Sequence, residues 1–114
     1  SLKNLSIPIY GDGLQTRTFL YIDDNIDTIV NCFEKNLYIN DILNIGSNTE
    51  YKIIDLAKKI IKLTNSSSKF KYLPALPRGD MKRRQPDNSK MKKALGKKFF
   101  NLNLALQKYI NYLK

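Results

Sequence analysis

Apolar residues recur at helical spacing in three parts of this chain, and the clearest stripe lies in the middle of the sequence. Its members are Ile53, Leu56, Ala57, Ile60 and Leu63. Spacings of three and four residues place such side chains on one face of a helix, here opposite a set of lysines. The polar run at residues 65–68 predicts the end of this helix.

The other two stripes predict one helix earlier and one helix later in the chain. The earlier stripe consists of Ile26, Ile29, Val30 and Phe33, and the later one of Leu102, Leu106, Tyr109, Ile110 and Leu113. Both stripes are expected to face a core. We also expect Asp23 to cap the earlier helix and Cys32 to be buried on its apolar side, because aspartate is a favoured cap and a lone thiol behaves as a small apolar group.

A fourth, shorter helix is predicted around Met91, Ala94 and Leu95. Asp87 stands before it, where a carboxylate can accept hydrogen bonds from the first backbone N–H groups. Gly96 follows it, at the position where glycine commonly ends a helix. This helix therefore has a start signal and a stop signal within ten residues.

Four short runs rich in β-branched and aromatic residues predict strands, at residues 6–10, 18–22, 42–45 and 69–72. The first of them enters a Gly-Asp-Gly turn at 11–13. Residues 1–5 are expected to be the end of a helix, and residues 74–86, which begin and end with proline, an irregular loop. The chain thus reads as α/β, a small mixed arrangement of short strands and about four helices.

The composition fits one folded domain over residues 1–114, since 42% of the residues are hydrophobic. No apolar run approaches the roughly 20 residues that span a bilayer, and the first residues lack the pattern of a signal peptide. We therefore expect a cytoplasmic protein without a membrane partner. The chain has no histidine and one cysteine, which leaves few acid–base or metal options, so no catalytic and no metal site is predicted.

The net charge of +10 raises the question of nucleic-acid binding. The lysines are spread along the whole chain, however, and lysine, asparagine and isoleucine are all abundant, as in proteins encoded by A/T-rich genes. These facts favour a solvated lysine surface over a nucleic-acid interface. A non-catalytic basic module that binds nucleic acid or another polyanion is kept as the alternative function.

Arginine is distributed differently from lysine. All four arginines lie in the two irregular segments, and they are Arg17, Arg78, Arg83 and Arg84. Arginine presents a planar fork that matches phosphate or carboxylate, whereas lysine is a point charge. The sequence therefore predicts an anion bound between the turn that leads into Arg17 and the loop at 74–86.

Three stretches resemble a known family, in its order and at about its spacing. They are YGDGLQTRTFLYIDD, LNIGSNTEYKIIDLAKKI and RGDMKRRQPDNSKMKKALG. Together they look like the C-terminal part of the extended short-chain dehydrogenase/reductase enzymes that act on nucleotide sugars, including epimerases, 4,6-dehydratases and UDP-glucuronate decarboxylases. The resemblance implies a Rossmann-containing enzyme in which a separate domain binds NAD and a smaller C-terminal part binds the nucleotide diphosphate sugar. This chain is similar to the smaller part only.

The resemblance also implies roles for individual residues. Arg17 matches the arginine that contacts the nucleotide phosphates, Tyr10 the residue beside the base or ribose, and Asn44 an asparagine that some members place near the nucleotide. The basic loop resembles two family versions, one giving Arg78 and Asp80 as diphosphate and ribose contacts, the other giving Arg84 through its Arg-x-Pro-Asp form. Gln15 is a further binding candidate.

Two family motifs are missing from the sequence: G-x-x-G-x-x-G, and a tyrosine followed four residues later by lysine. We therefore expect this chain to bind substrate without catalysing, and NAD to be held by a Rossmann domain elsewhere in a longer or split protein. The expected function is the substrate-binding part of an NAD-dependent enzyme of surface polysaccharide precursor synthesis. An isolated chain is expected to expose the surface that the other domain covers, and so to self-associate.

Overall fold

The computed structural model describes residues 1–78 and 81–114. Within these residues it contains short strands and four helices, which confirms the predicted α/β class. In chain order the elements are β1 (Ile7–Tyr10), β2 (Thr16–Thr18), α1 (Ile22–Glu34), β3 (Glu50–Lys52), α2 (Ile53–Leu63), β4 (Phe70–Leu73), α3 (Ser89–Leu95) and α4 (Leu102–Leu113). No helix in the described part of the chain is both long enough and apolar enough to cross a membrane.

The described residues group into two compact units. The first unit comprises residues 1–17, 51–84 and 106–114, and the second comprises residues 18–50 and 85–105. The assignment of residues 1–114 to one substrate-binding domain stays a prediction.

The first unit is built on a parallel pair of strands. β1 pairs with β4 from Ile7 opposite Phe70 to Tyr10 opposite Leu73. Parallel strands need a crossover connection, and α2 lies within this one. The core consists of Ile9, Ile54 and Ala57, with Ile7, Ile53 and Phe70 packed against it. The α2 stripe that the sequence predicted is confirmed because helical spacing is a local property.

The Gly-Asp-Gly turn after β1 is tightly fitted into the same unit. Gly11 and Gly13 have φ of 68° and 73°, in the region that favours glycine. The side chain of Asp12 accepts a hydrogen bond from the backbone N–H of Leu14 at 2.9 Å. The N–H of Ile54 donates to the carbonyl of Gly13 at 3.0 Å, so the turn is joined to the start of α2.

The second unit packs α1 against α3. Its side chains that are at most 4% exposed are Asp24, Thr28, Asn88, Met91, Ala94 and Leu95. The side-chain amide of Asn31 donates to the carbonyls of Ala94 at 3.0 Å and Leu95 at 3.4 Å, and so caps the end of α3. Gly96, with φ of 67°, closes that helix as predicted.

Two strand predictions are wrong in the structure. Residues 42–45 do not form a strand, and Ile42 is 81% exposed. A strand exists only through hydrogen bonds to a neighbour, and none of the described residues supplies one there. The strand predicted at 18–22 is also wrong, because β2 ends at Thr18 and α1 begins at Ile22.

Three helix-end predictions are wrong as well. Asp23 does not cap α1, because the helix already begins at Ile22. Tyr21 occupies the cap position without a side-chain hydrogen bond. Residues 1–5 form a turn, closed by the N–H of Asn4 on the carbonyl of Ser1 at 3.0 Å, instead of the end of a helix. Asp87 is not the cap residue of α3 either, because Asn88 occupies that position; the carboxylate of Asp87 nevertheless accepts from the N–H of Ser89, the first residue of the helix, at 2.9 Å.

The burial predictions fail for α1 and hold in part for α4. Within α1 the apolar stripe is exposed, from 44% at Val30 to 86% at Phe33, and Cys32 is half-buried. In α4, Ile110 is buried, while Tyr109 is 57% exposed and Leu113 is 50% exposed. An apolar stripe predicts a helix with one face that is stabilised by burial. The described residues do not bury this face of α1.

Candidate functional site

Tyr10 and Gln15 lie on one cavity at the C-terminal end of β1. The side-chain amide of Gln15 donates to the carbonyl of Tyr10 at 3.2 Å, across the glycine turn. Both residues line a cavity of about 400 Å³, which Leu76 and Lys82 of the loop line from the other side. The ring of Tyr10 is 43% exposed. This position gives the tyrosine an accessible aromatic surface on a rigid strand end.

Arg17 is the central residue of β2 and is half-buried. Its Nη1 donates to the carbonyl of Thr16 at 2.7 Å. β2 pairs with β3, and the carbonyl of Gln15 accepts from the N–H of Ile53 at 3.1 Å. The backbone of Arg17 is therefore fixed on both sides, so that the guanidinium extends from a strand instead of from a free loop.

The basic loop is joined to β2 by one backbone hydrogen bond. The N–H of Thr16 donates to the carbonyl of Lys82 at 2.9 Å. The side chains of Arg78 and Arg84 are exposed. The two arginine-containing segments of the sequence thus meet within the first unit, next to the cavity that Tyr10 lines.

The remaining predicted site residues are Asn44 and Asp80. Asn44 belongs to the second unit, and its side-chain amide donates to the carbonyl of Asp87 at 3.3 Å. That bond gives Asn44 a structural use, and a role near a nucleotide stays a prediction. Asp80 lies outside the described residues.

The sequence reading missed the contributions of Leu76 and Lys82 to the cavity. Leu76 is 49% exposed and lies between two prolines, which in the sequence indicate only an irregular loop. Lys82 lies among the arginines and was counted with the scattered lysines. Their proximity to Tyr10 follows from the pairing of β1 with β4, which carries the start of the loop to the glycine turn.

Among the described residues, the clear pKa shifts belong to side chains of the second unit. A hydrogen bond from Lys90 lowers the pKa of Asp41, and the hydroxyl and N–H of Ser89 lower the pKa of Asp87. The hydrogen bond to Asp27 raises the pKa of Lys97. The lining of the cavity offers a ligand the ammonium group of Lys82, the amide of Gln15 and the ring of Tyr10, beside the carboxylate of Asp12.

The chain is similar to curated enzymes that act on nucleotide sugars. It is 34% identical over 113 residues to UDP-glucuronic acid decarboxylase 1 of Danio rerio, covering 98% of this chain and 26% of that protein. It is 35% identical over 97 residues to UDP-N-acetyl-alpha-D-glucosaminuronate decarboxylase of Bacillus cytotoxicus, covering 81% of this chain and 30% of the relative. The chain therefore spans about a quarter to a third of these relatives. No protein-family model matches it.

Solved structures agree with this relationship. UDP-glucuronic acid 4-epimerase from Bacillus cereus, determined with UDP-glucuronic acid and NAD, superposes with a TM-score of 0.83 at 31% identity, over 99% of this chain and 37% of the epimerase. UDP-glucose 4-epimerase from Thermotoga maritima gives a TM-score of 0.86 at 25% identity, over 98% and 36% of the two chains.

Proposed function

We propose that this chain, which belongs to the extended short-chain dehydrogenase/reductase family and corresponds to its C-terminal part, binds a nucleotide diphosphate sugar for an NAD-dependent enzyme. The complete enzyme would be an epimerase, a 4,6-dehydratase or a decarboxylase, in the synthesis of surface polysaccharide precursors. The binding role falls to the first unit.

The hydrogen bond from Thr16 to the Lys82 carbonyl is the observation that carries this proposal. It holds the strand of Arg17 against the basic loop, so that the two segments that carry the arginines meet at one cavity, which Gln15 and Lys82 line. A solvated basic surface does not need such a junction. A diphosphate-binding site is favoured by it, because the two phosphates are best held by donors that are already in position.

Within this arrangement Arg17 is assigned to the pyrophosphate. Its planar guanidinium can form two parallel hydrogen bonds to phosphate oxygens, and its half-buried position reduces competition from water. Arg84 and Arg78 reach from the loop as second donors, with Arg84 preferred on the family motif. Tyr10 faces the base or ribose, and Gln15 fixes the turn between them through the Tyr10 carbonyl.

The glycines among the described residues do not form the turn that binds a dinucleotide. NAD-binding turns place glycines at the N-terminus of a helix, where backbone N–H groups meet the pyrophosphate. Here Gly11 and Gly13 lead into β2, and Gly96 ends a helix. We therefore assign NAD to another domain of the complete protein or to a separate partner chain. The contribution of this chain is orientation of the sugar, on which the rate of a hydride transfer depends steeply.

The test is an NMR titration of the ¹⁵N-labelled chain with UDP. The same titration is carried out on two variants, each of which removes one positive charge. Arg17→Gln removes the forked donor, and Lys71→Gln removes an exposed cation from β4. We expect UDP to shift the amide signals of Tyr10, Gln15 and Arg17. We expect Arg17→Gln to weaken binding by about tenfold or more, the effect of one charge-assisted hydrogen bond, and Lys71→Gln to change it less than twofold.

The same titration separates the alternative function. A short DNA duplex at two salt concentrations should give weak, strongly salt-dependent shifts spread over the lysines, if any. A chain that responds to DNA and not to UDP would be a basic polyanion-binding module. Equal losses in Arg17→Gln and Lys71→Gln would also contradict the proposal, because UDP would then sense only net charge.

A further inference from the structure

A cationic cavity lies in the second unit, and none of its lining residues is assigned to the nucleotide sugar. It has a volume of about 690 Å³ and is lined by Lys92, Lys93, Gly96, Lys97, Lys98 and Phe99. The left-handed conformation of Gly96 ends α3 and redirects the chain there. One lysine pair before the turn and one after it consequently line the same concave surface, although the lysines look evenly scattered in the sequence.

The end of a helix normally disfavours an anion, because its last carbonyls carry partial negative charge. At α3 these carbonyls already accept hydrogen bonds. Those of Ala94 and Leu95 accept from the amide of Asn31, and that of Lys92 accepts from the N–H of Gly96 at 3.1 Å. The lysines therefore dominate the electrostatics of this end of the helix.

No carboxylate of the described residues lines the cavity, but acids lie near it: Asp23 and Asp24 act electrostatically on Lys97, and Asp87 interacts with Lys92. Lys97 forms an ion pair with Asp27, which also holds its side chain in place at the cavity. Among the described residues, no ion pair joins Lys92, Lys93 or Lys98 to a carboxylate, and all three are exposed. The described lining of the cavity thus presents four ammonium groups and no carboxylate, and the mutual repulsion of these groups favours a multivalent anion over chloride.

We propose that this cavity binds an oligophosphate with three or more negative charges, either free or as the phosphate chain of a nucleotide. Ammonium groups donate three hydrogen bonds each without a planar requirement, which suits the tetrahedral oxygens of a phosphate chain. Phe99 supplies an apolar wall beside the charges, and the space next to Gly96 is open. The site shares no residue with the proposed pyrophosphate contacts of Arg17, Arg78 and Arg84.

Two double variants of equal charge test the proposal by isothermal titration calorimetry with inorganic tripolyphosphate. Lys93→Gln with Lys98→Gln removes two cavity cations. Lys58→Gln with Lys62→Gln removes two exposed cations from α2, in the first unit. We expect the cavity pair to weaken tripolyphosphate binding by about tenfold, the combined effect of two exposed charge contacts, and the α2 pair to weaken it less than twofold. The circular dichroism spectra of both double variants should match that of the unmodified chain, since all four replaced side chains are exposed.

Titration with ATP in place of tripolyphosphate distinguishes the two sources of the phosphate chain. Equal affinities would show that the phosphates alone are recognised, and tighter ATP binding with a shifted Phe99 ring signal in NMR spectra would identify a nucleotide. Equal losses in the two double variants, or no heat of binding at millimolar tripolyphosphate, would overturn the proposal. Arg17→Gln should leave tripolyphosphate binding at this cavity unchanged, so that the failure of one site is separable from the failure of the other.

Discussion

The backbone N–H of Phe100 donates a 2.6 Å hydrogen bond to the carboxylate of Asp24. Asp24 is 1% exposed and lies in the first turn of α1. A buried carboxylate requires such a partner, and its charge also interacts favourably with the start of the helix. Asp24 is therefore a structural residue, which ties the chain after α3 to α1.

Replacing Asp24 should destabilise the protein markedly. Asp24→Ala leaves the N–H of Phe100 without its acceptor, and we expect a loss of about 2 kcal/mol in the free energy of unfolding, measured by urea denaturation. Asp23→Ala is the matched control. Asp23 is exposed, so its removal should cost at most about 0.5 kcal/mol, through the helix dipole. Similar losses in both variants would contradict the structural role.

Gly13 is predicted to be less tolerant of alanine than Gly96, although both have positive φ. A Cβ on Gly13 would lie 2.9 Å from Cγ2 of Ile9 and 3.1 Å from Cβ of Ile54, both in the core. A Cβ on Gly96 would meet no atom within 4 Å. We expect Gly96→Ala to cost about 1 kcal/mol, from backbone strain, and Gly13→Ala about 3 kcal/mol, because overpacking adds to that strain. Equal urea midpoints for the two variants would refute the overpacking.

The sequence allowed the prediction of those features of the fold that depend on near neighbours. The α2 stripe, the glycine turn at 11–13 and the Gly96 helix end all follow from local spacing or local backbone preference, and the structure has them. The contact of Asp87 with the start of α3 is local in the same way, although Asn88 and not Asp87 is the cap residue.

Features that depend on distant partners could not be predicted in this way. The apolar run at 42–45 has strand character, but strand formation needs a hydrogen-bonding neighbour that the described residues lack. The convergence of Arg17 with the basic loop was inferred from arginine chemistry, but the hydrogen bond between Thr16 and Lys82 has no sequence signature. The lysine cavity was missed because a turn at Gly96 brings together two pairs that sequence statistics treat as scattered charge.

The carboxyl pKa of Asp41 should lie below its ordinary value because Nζ of Lys90 donates to it at 2.6 Å. A lowered folded-state pKa stabilises the protein above the unfolded-state value, and this contribution is lost as the pH falls through the folded-state value. The pair is exposed, so the effect on stability is small. An NMR titration of the carboxyl carbon should show the lowered pKa, and Lys90→Met should raise it. Lys93→Met is the control and should leave it unchanged.

The exposed apolar surface of α1 predicts self-association of the isolated chain. Phe33 is 86% exposed, and Ile42 of the same unit is 81% exposed. Such a surface favours burial against another protein surface, and in a complete enzyme of this family we expect the remaining domain to supply it. Sedimentation velocity at rising concentration should show association, opposed in part by the net charge of +10 and therefore stronger at high salt.

Variants at equally exposed positions assign this association to one surface. We expect Phe33→Gln combined with Ile42→Gln to weaken self-association by about tenfold, since about 2 kcal/mol of apolar contact is removed from each copy and only part of it is realised in a dimer. Tyr112→Gln alters an aromatic side chain that is 84% exposed in the first unit, and it should have little effect. A monomer at all concentrations and salt conditions, or equal effects of the two changes, would show that the α1 surface does not drive association.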